Sequence, residues 1–173
     1  MRVRRPWLVV VMLLVPAVAG AHGHKADFYA AASRTTGSSL WGPQTTLSIT
    51  SPIPTSLDMS ILGDFSAHVG EENSVDMTRL AFMIGTRWTA SIRGNDKHLG
   101  YGQVLGGGVH DHVGGTDATH RALAFGAGYE FDPEGEDSAF AVRFQIEYVK
   151  VFGGGEDFPR TSVGIVYRVR RNP

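Results

Sequence analysis

From Phe140 to Val149 the chain reads FAVRFQIEYV. Phe140, Val142, Phe144, Ile146 and Tyr148 take every second place, between Ala141, Arg143, Gln145, Glu147 and Val149. A helix, with about 3.6 residues per turn, would mix the two sets, whereas a strand puts each on its own face. The stretch therefore predicts a strand with one large apolar face and one face carrying an Arg, an amide and a Glu.

Seven other runs have strand character: 25–34, 40–50, 57–69, 79–90, 99–109, 122–131 and 160–170. The first is irregular and the fifth, LGYGQVLGGGV, is too rich in glycine to phase. Elsewhere the period is clear. In 79–90, Leu80, Phe82, Ile84, Thr86 and Trp88 oppose Arg79, Ala81, Met83, Gly85 and Arg87. Breaks rich in Gly, Pro, Asp and Ser separate the runs, such as SPIPTS, RGNDKH and DPEGEDS. No helical period follows the first 21 residues. Strands of this length and spacing predict an all-β chain joined by hairpins. Eight strands suffice to close an antiparallel up-and-down barrel, which removes exposed edges.

Residues 1–21 differ from the rest. Arg2, Arg4 and Arg5 precede the apolar LVVVMLLVPAVAG, and small residues end it at Ala19 or Ala21. This pattern predicts a cleaved signal peptide, with the barrel domain spanning 22–173. The full chain carries 16 basic and 17 acidic residues; without the leader the balance is 13 − 17 = −4. No basic patch points to nucleic acid. The chain has no cysteine, so an exported fold must hold without disulfides.

An apolar face can point inward, around a ligand in a soluble lipocalin-like periplasmic barrel, or outward, into lipid. Three features favour lipid. The polar face is built from Ser, Ala and Gly, which suit a narrow interior, and Lys occurs only at 25, 97 and 150. Its charges are of both signs: Asp58, Asp64, Glu130 and Glu147 with Arg79, Arg87, Arg143 and Arg168. Enclosed charges require partners, so these eight are the candidate lumen network. Strands of about 9–11 residues cross a tilted bilayer path. Trp41, Trp88, Tyr129, Phe131, Tyr148 and Tyr167 lie toward strand ends, where interfacial aromatics belong.

DMSILGDFSAHVG, LAFMIGTRW, YGQVLGGGVH and VRFQIEYVKVF with TSVGIVYRV resemble the small eight-stranded outer-membrane barrels of Gram-negative bacteria, the broad OmpA/OmpX-like group. The resemblance covers about residues 25–170. It implies contact with outer-membrane lipid and with the outer-membrane assembly machinery. It also implies outward loops at 35–39, 70–78, 110–120 and 151–159, and periplasmic turns at 51–56, 91–98 and 132–138. Many such barrels end on an aromatic residue, whereas this chain ends YRVRRNP.

His110, His112 and His120 lie near Asp111 and Asp117, and imidazole with carboxylate can bind zinc or copper. Cleavage after Ala21 would also expose His22-Gly23-His24, a pattern that chelates Cu(II). Neither place fixes a geometry, and 110–120 reads as a polar surface loop. No G-x-S-x-G, H-E-x-x-H or phosphate-binding glycine motif occurs. The expectation is a barrel with no catalytic residue, no cofactor and no metal, and with a structural, interaction or narrow-pore role.

Overall fold

The computed structural model describes residues 25–36, 39–50, 58–72, 75–92, 94–134 and 138–169. The leader and the His22-Gly23-His24 segment lie outside them. Eight antiparallel strands form a closed barrel in chain order: β1 Lys25–Thr35, β2 Trp41–Thr50, β3 Asp58–Glu72, β4 Val75–Ile92, β5 Asn95–Val113, β6 Thr116–Phe131, β7 Phe140–Phe152 and β8 Phe158–Val169. β1 closes the ring on β8, from Ala26↔Val169 to Thr35↔Arg160. One end of the barrel holds Lys25 and Val169 and is called the base here; the opposite end is the rim.

The large residues face outward. Along β7 exposure alternates without a break from Phe140 to Phe152, and Phe144 and Ile146 are 51% and 58% exposed. Phe65, Phe82, Ile84, Phe125 and Ile165 extend this belt around the ring. Trp88, Phe131, Phe140 and Tyr167 lie toward its base side, with the Phe140 and Tyr167 rings 5.2 Å apart. Trp41, Tyr148 and Phe152 lie toward the rim. An apolar belt between aromatic girdles is the surface of a membrane-spanning barrel, and a lipocalin-like arrangement would bury it.

The two central hairpins are longer than their sequences suggest. β4, β5 and β6 have 18, 19 and 16 residues. Glu72 pairs with Val75, so 70–78 is mostly strand rather than loop. At the base, β4 runs to Ile92 and β5 starts at Asn95, which shortens the predicted turn 91–98. The predicted loop 110–120 is also a hairpin, with Val113 opposite Thr116. Its two turn residues are Gly114 and Gly115, at φ of 55° and 87°. A two-residue turn with both φ positive matches the twist of paired strands, and glycine adopts it without a Cβ clash. Above the lipid belt both faces of a strand meet water, so the alternation that reveals strands elsewhere is lost.

Candidate functional site in the barrel lumen

The inward parity of each strand gathers a polar column. Nearest the base, Glu130 on β6 faces Arg143 on β7 in the ladder. Arg143 donates from Nε and Nη2 to Glu130 Oε2 at 2.9 and 2.7 Å. Arg168 on β8 pairs with the other oxygen of Glu130 and with Asp132. One carboxylate thus joins arginines from two strands, and Asp132 adds a second acceptor just past the end of β6.

Above this layer, aromatic rings separate the cations. The Arg143 guanidinium lies 5.0 Å from the Tyr29 ring and 5.3 Å from that of Tyr101, while Arg87 lies 4.5 Å from Tyr101. Tyr101 donates to Gln145 Oε1 at 2.8 Å, and Tyr29 shares a 3.1 Å hydrogen bond with Ser162. Gly128 makes the space: a Cβ there would lie 2.2 Å from the Tyr101 hydroxyl. Gly126 does the same for Glu147, whose Cγ would be 2.7 Å from an added Cβ.

The middle layer is the most enclosed. Arg160 donates from Nη2 to Asp64 Oδ1 at 2.8 Å, from Nε to Glu147 Oε2 at 2.7 Å and from Nη1 to Ser66 at 2.6 Å. The side chains of all three charged residues have zero exposure. Gln44 and Thr46 donate to the second oxygen of Asp64 at 2.6 and 2.9 Å. Gln103 donates to Glu147 at 2.7 Å, while its carbonyl accepts twice from Arg87. The chain of contacts therefore crosses the lumen from β4 through β5 and β7 to β8 and β3. Such a layer holds the strands at fixed separation, since every charge has a hydrogen-bonded partner in place of water.

Toward the rim, Arg79 holds Asp111 through two hydrogen bonds of 2.7 and 3.1 Å and stacks 4.1 Å from the Phe158 ring. His68 and Ser33 share a 2.9 Å contact. A cluster including Met83, Leu105, Val109, Val149 and Phe158 fills the same half of the interior.

Seven of the eight residues predicted for the lumen are enclosed there: Asp64, Arg79, Arg87, Glu130, Arg143, Glu147 and Arg168. Asp58 is the correction. It has inward parity but opens β3 at the base, where it is exposed. Arg143 and Glu147, four residues apart on one face, do not pair with each other; each joins a neighbouring strand. Arg160, Asp111, Asp132 and Gln103 were missed. Arg160 shares the inward parity of Ser162 and Arg168, so its phase alone could have found it.

His110 and His112 lie outside this column, unlike the enclosed His68. His112 Nδ1 is 2.7 Å and His110 Nε2 3.5 Å from Asp117 Oδ1, on the exposed β5–β6 hairpin. No group of three or more metal-ligating side chains is set for an ion among the described residues.

No protein-family model matches the chain, and no curated protein matches it. Solved structures do. The chain is similar to the outer membrane protein Ail of Yersinia pestis in a phospholipid bilayer nanodisc, with 15% identity and a TM-score of 0.52 over 84% of this chain and 99% of that one. It is similar to Neisserial surface protein A, with 16% identity and a TM-score of 0.51 over 84% and 94%. The outer membrane enzyme PagL matches with 16% identity and a TM-score of 0.50 over 84% and 99%. At these identities the likeness speaks for the fold. The ring of eight strands, the outward apolar belt and these matches agree: the chain folds as an eight-stranded outer-membrane β-barrel.

Proposed function

We propose that this barrel is non-enzymatic, that its lumen is closed to solutes, and that it serves a structural or interaction role. The carrying observation is the sealed Arg160–Asp64–Glu147 layer, whose side chains have no exposure. A conducting path would have to part these pairs, and separating a buried ion pair is costly. The narrow interior of an eight-stranded barrel supports the same reading.

One outward array deserves comparison with a catalytic one. His110 Nδ1 is 2.8 Å from Thr119 Oγ1, and its Nε2 faces Asp117 at 3.5 Å. Both contacts lie on an exposed hairpin face, where water competes for each hydrogen bond, so they read as cross-strand pairs.

The rim would face outward and the base the periplasm, because two hairpins, β3–β4 and β5–β6, extend at the rim and β4–β5 alone does so at the base. The test of closure is planar-bilayer conductance together with swelling of vesicles in small sugars. The expected result is neither steady current nor swelling. A stable ohmic current from the unaltered chain would overturn the reading. Protease treatment of intact cells should cut at the rim; cleavage confined to 91–98 or 132–138 would reverse the orientation.

A further inference from the structure

Among the described residues the apolar belt is indented beside β1. β1 presents only Ala30 and Ala32 outward between Phe28 and Arg34, against bulky neighbours. An open furrow of about 750 Å³ lies beside Ala32, lined by residues of β6, β7, β8, β1 and β2, with Gly128, Gln145 and Ser162 between its two outward rows. The register resolves its shape. One wall is the row Ala127–Ile146–Thr161–Arg34–Trp41, each residue the ladder partner of the next. The other wall is the neighbouring row Tyr129–Phe144–Val163–Ala32. The furrow crosses four interstrand steps, a length of about 19 Å.

The two ends differ. Trp41 opens β2 at the rim, whereas Tyr129 lies two residues from the base end of β6. The furrow therefore climbs from within the apolar belt to the rim. Its lower part is walled by Phe144, Ile146 and Val163. At its upper end the Arg34 guanidinium lies 5.1 Å from the exposed Trp41 ring, beside the Thr161 hydroxyl. No carboxylate among the described residues pairs with Arg34, whereas the rim cation Lys150 is held by Asp157 at 2.7 Å.

We propose that this furrow is a lipid-binding site for a phosphorylated glycolipid of the outer leaflet. One acyl chain lies between the two rows, and a phosphate meets Arg34 and Thr161. The charge argument selects the occupant. A guanidinium at the water boundary matches a phosphate bidentately, and Trp41 sits at headgroup depth. An apolar trench below a single cation fits an anionic amphiphile and not a protein strand, since the ladder groups of its floor are already paired in the closed barrel. The rim position selects the outer leaflet and rests on the orientation proposed above.

The test is native mass spectrometry of the detergent-extracted barrel titrated with purified lipid A, with phosphatidylglycerol as competitor. Three chains are compared: the unaltered protein, Arg34→Gln, and Ala32→Phe, which fills the furrow and keeps the charge. Heat-modifiable gel mobility confirms that each is folded, which separates failure of the site from failure of the barrel. The expected result is one retained lipid A per barrel, at least tenfold weaker retention in both variants, and poor displacement by phosphatidylglycerol. Retention unchanged in either variant would overturn the furrow as the site. Equal displacement by phosphatidylglycerol would overturn the choice of glycolipid.

Discussion

The lumen and the rim both hold ion pairs, and distance does not tell them apart. Arg160 lies 2.6 Å from Glu147, and Lys150 lies 2.7 Å from Asp157. Their surroundings differ completely. Arg160 and both its carboxylates are sealed from solvent, whereas Lys150 is half-exposed on the outward face of β7 toward the rim. In water an ion pair competes with hydration and adds little. In the lumen the same contact has no replacement, so its value appears when one partner is removed. The comparison teaches that in this barrel the polar interior is the structural core and the apolar exterior is its solvent-facing side, with lipid as the solvent.

The sharpest way to break that comparison is Arg160→Met. It leaves Asp64 and Glu147 enclosed without their shared cation, and the expected loss is about 3–5 kcal/mol. Urea unfolding of the barrel in lipid vesicles measures it. Neutralising the acids as well, with Asp64→Asn and Glu147→Gln, should recover most of the loss. If Lys150→Met costs as much as Arg160→Met, burial is not what separates the two regions.

A somewhat smaller effect tests the two faces. Phe144 sits midway along the outward series of β7, one residue from the enclosed Arg143. Phe144→Arg places the same side chain in hydrocarbon, with an expected cost of about 2–4 kcal/mol, and Phe144→Asp less. The fraction folded into vesicles, read from heat-modifiable mobility, should fall for both. Full folding of Phe144→Arg would mean that the outward face does not meet lipid.

What was legible in the sequence follows the same division. Within the belt one face meets lipid and the other the lumen, so alternation marked β3, β4, β6, β7 and β8 and the phase of their charges. It could not mark who pairs with whom. Arg143 meets Glu130 through the β6–β7 register, which depends on the turn between them. Arg160 opens the eighth run and shares the inward phase of Ser162, but its place opposite Glu147 comes from the β7–β8 register. Asp132 and Asp111 lie at or beyond the belt, where alternation fades, and so were assigned to a turn and to the histidine loop. The glycines of β5 and β6 hid a physical reason visible only in three dimensions: Gly128 clears space for Tyr101 across the lumen. The furrow rests on alanines of the irregular first run, and no single-strand pattern announces a trench spread over five strands.

The smallest expected effect lies at the rim and is one of pH. Asp157 accepts hydrogen bonds from Lys150, the Val151 amide and the Tyr148 hydroxyl. The Lys150 and Val151 contacts hold its pKa down, to about 2. A carboxyl whose folded pKa lies below its unfolded value stabilises above the unfolded value, about 4. That contribution is lost as pH falls toward 2. Protection of the Val151 amide against hydrogen exchange, after correction for the intrinsic pH dependence, should therefore stay flat from pH 7 to about 4.5 and weaken below. Because Asp157 lies in the turn between β7 and β8 and its partner Lys150 is half-exposed, the loosening should remain local to that turn, with the amides of Arg143 and Gln145 unchanged over the same range. If those lumen amides lose protection in step with Val151, the rim and the sealed column form one cooperative unit, and the energetic boundary drawn between them is wrong.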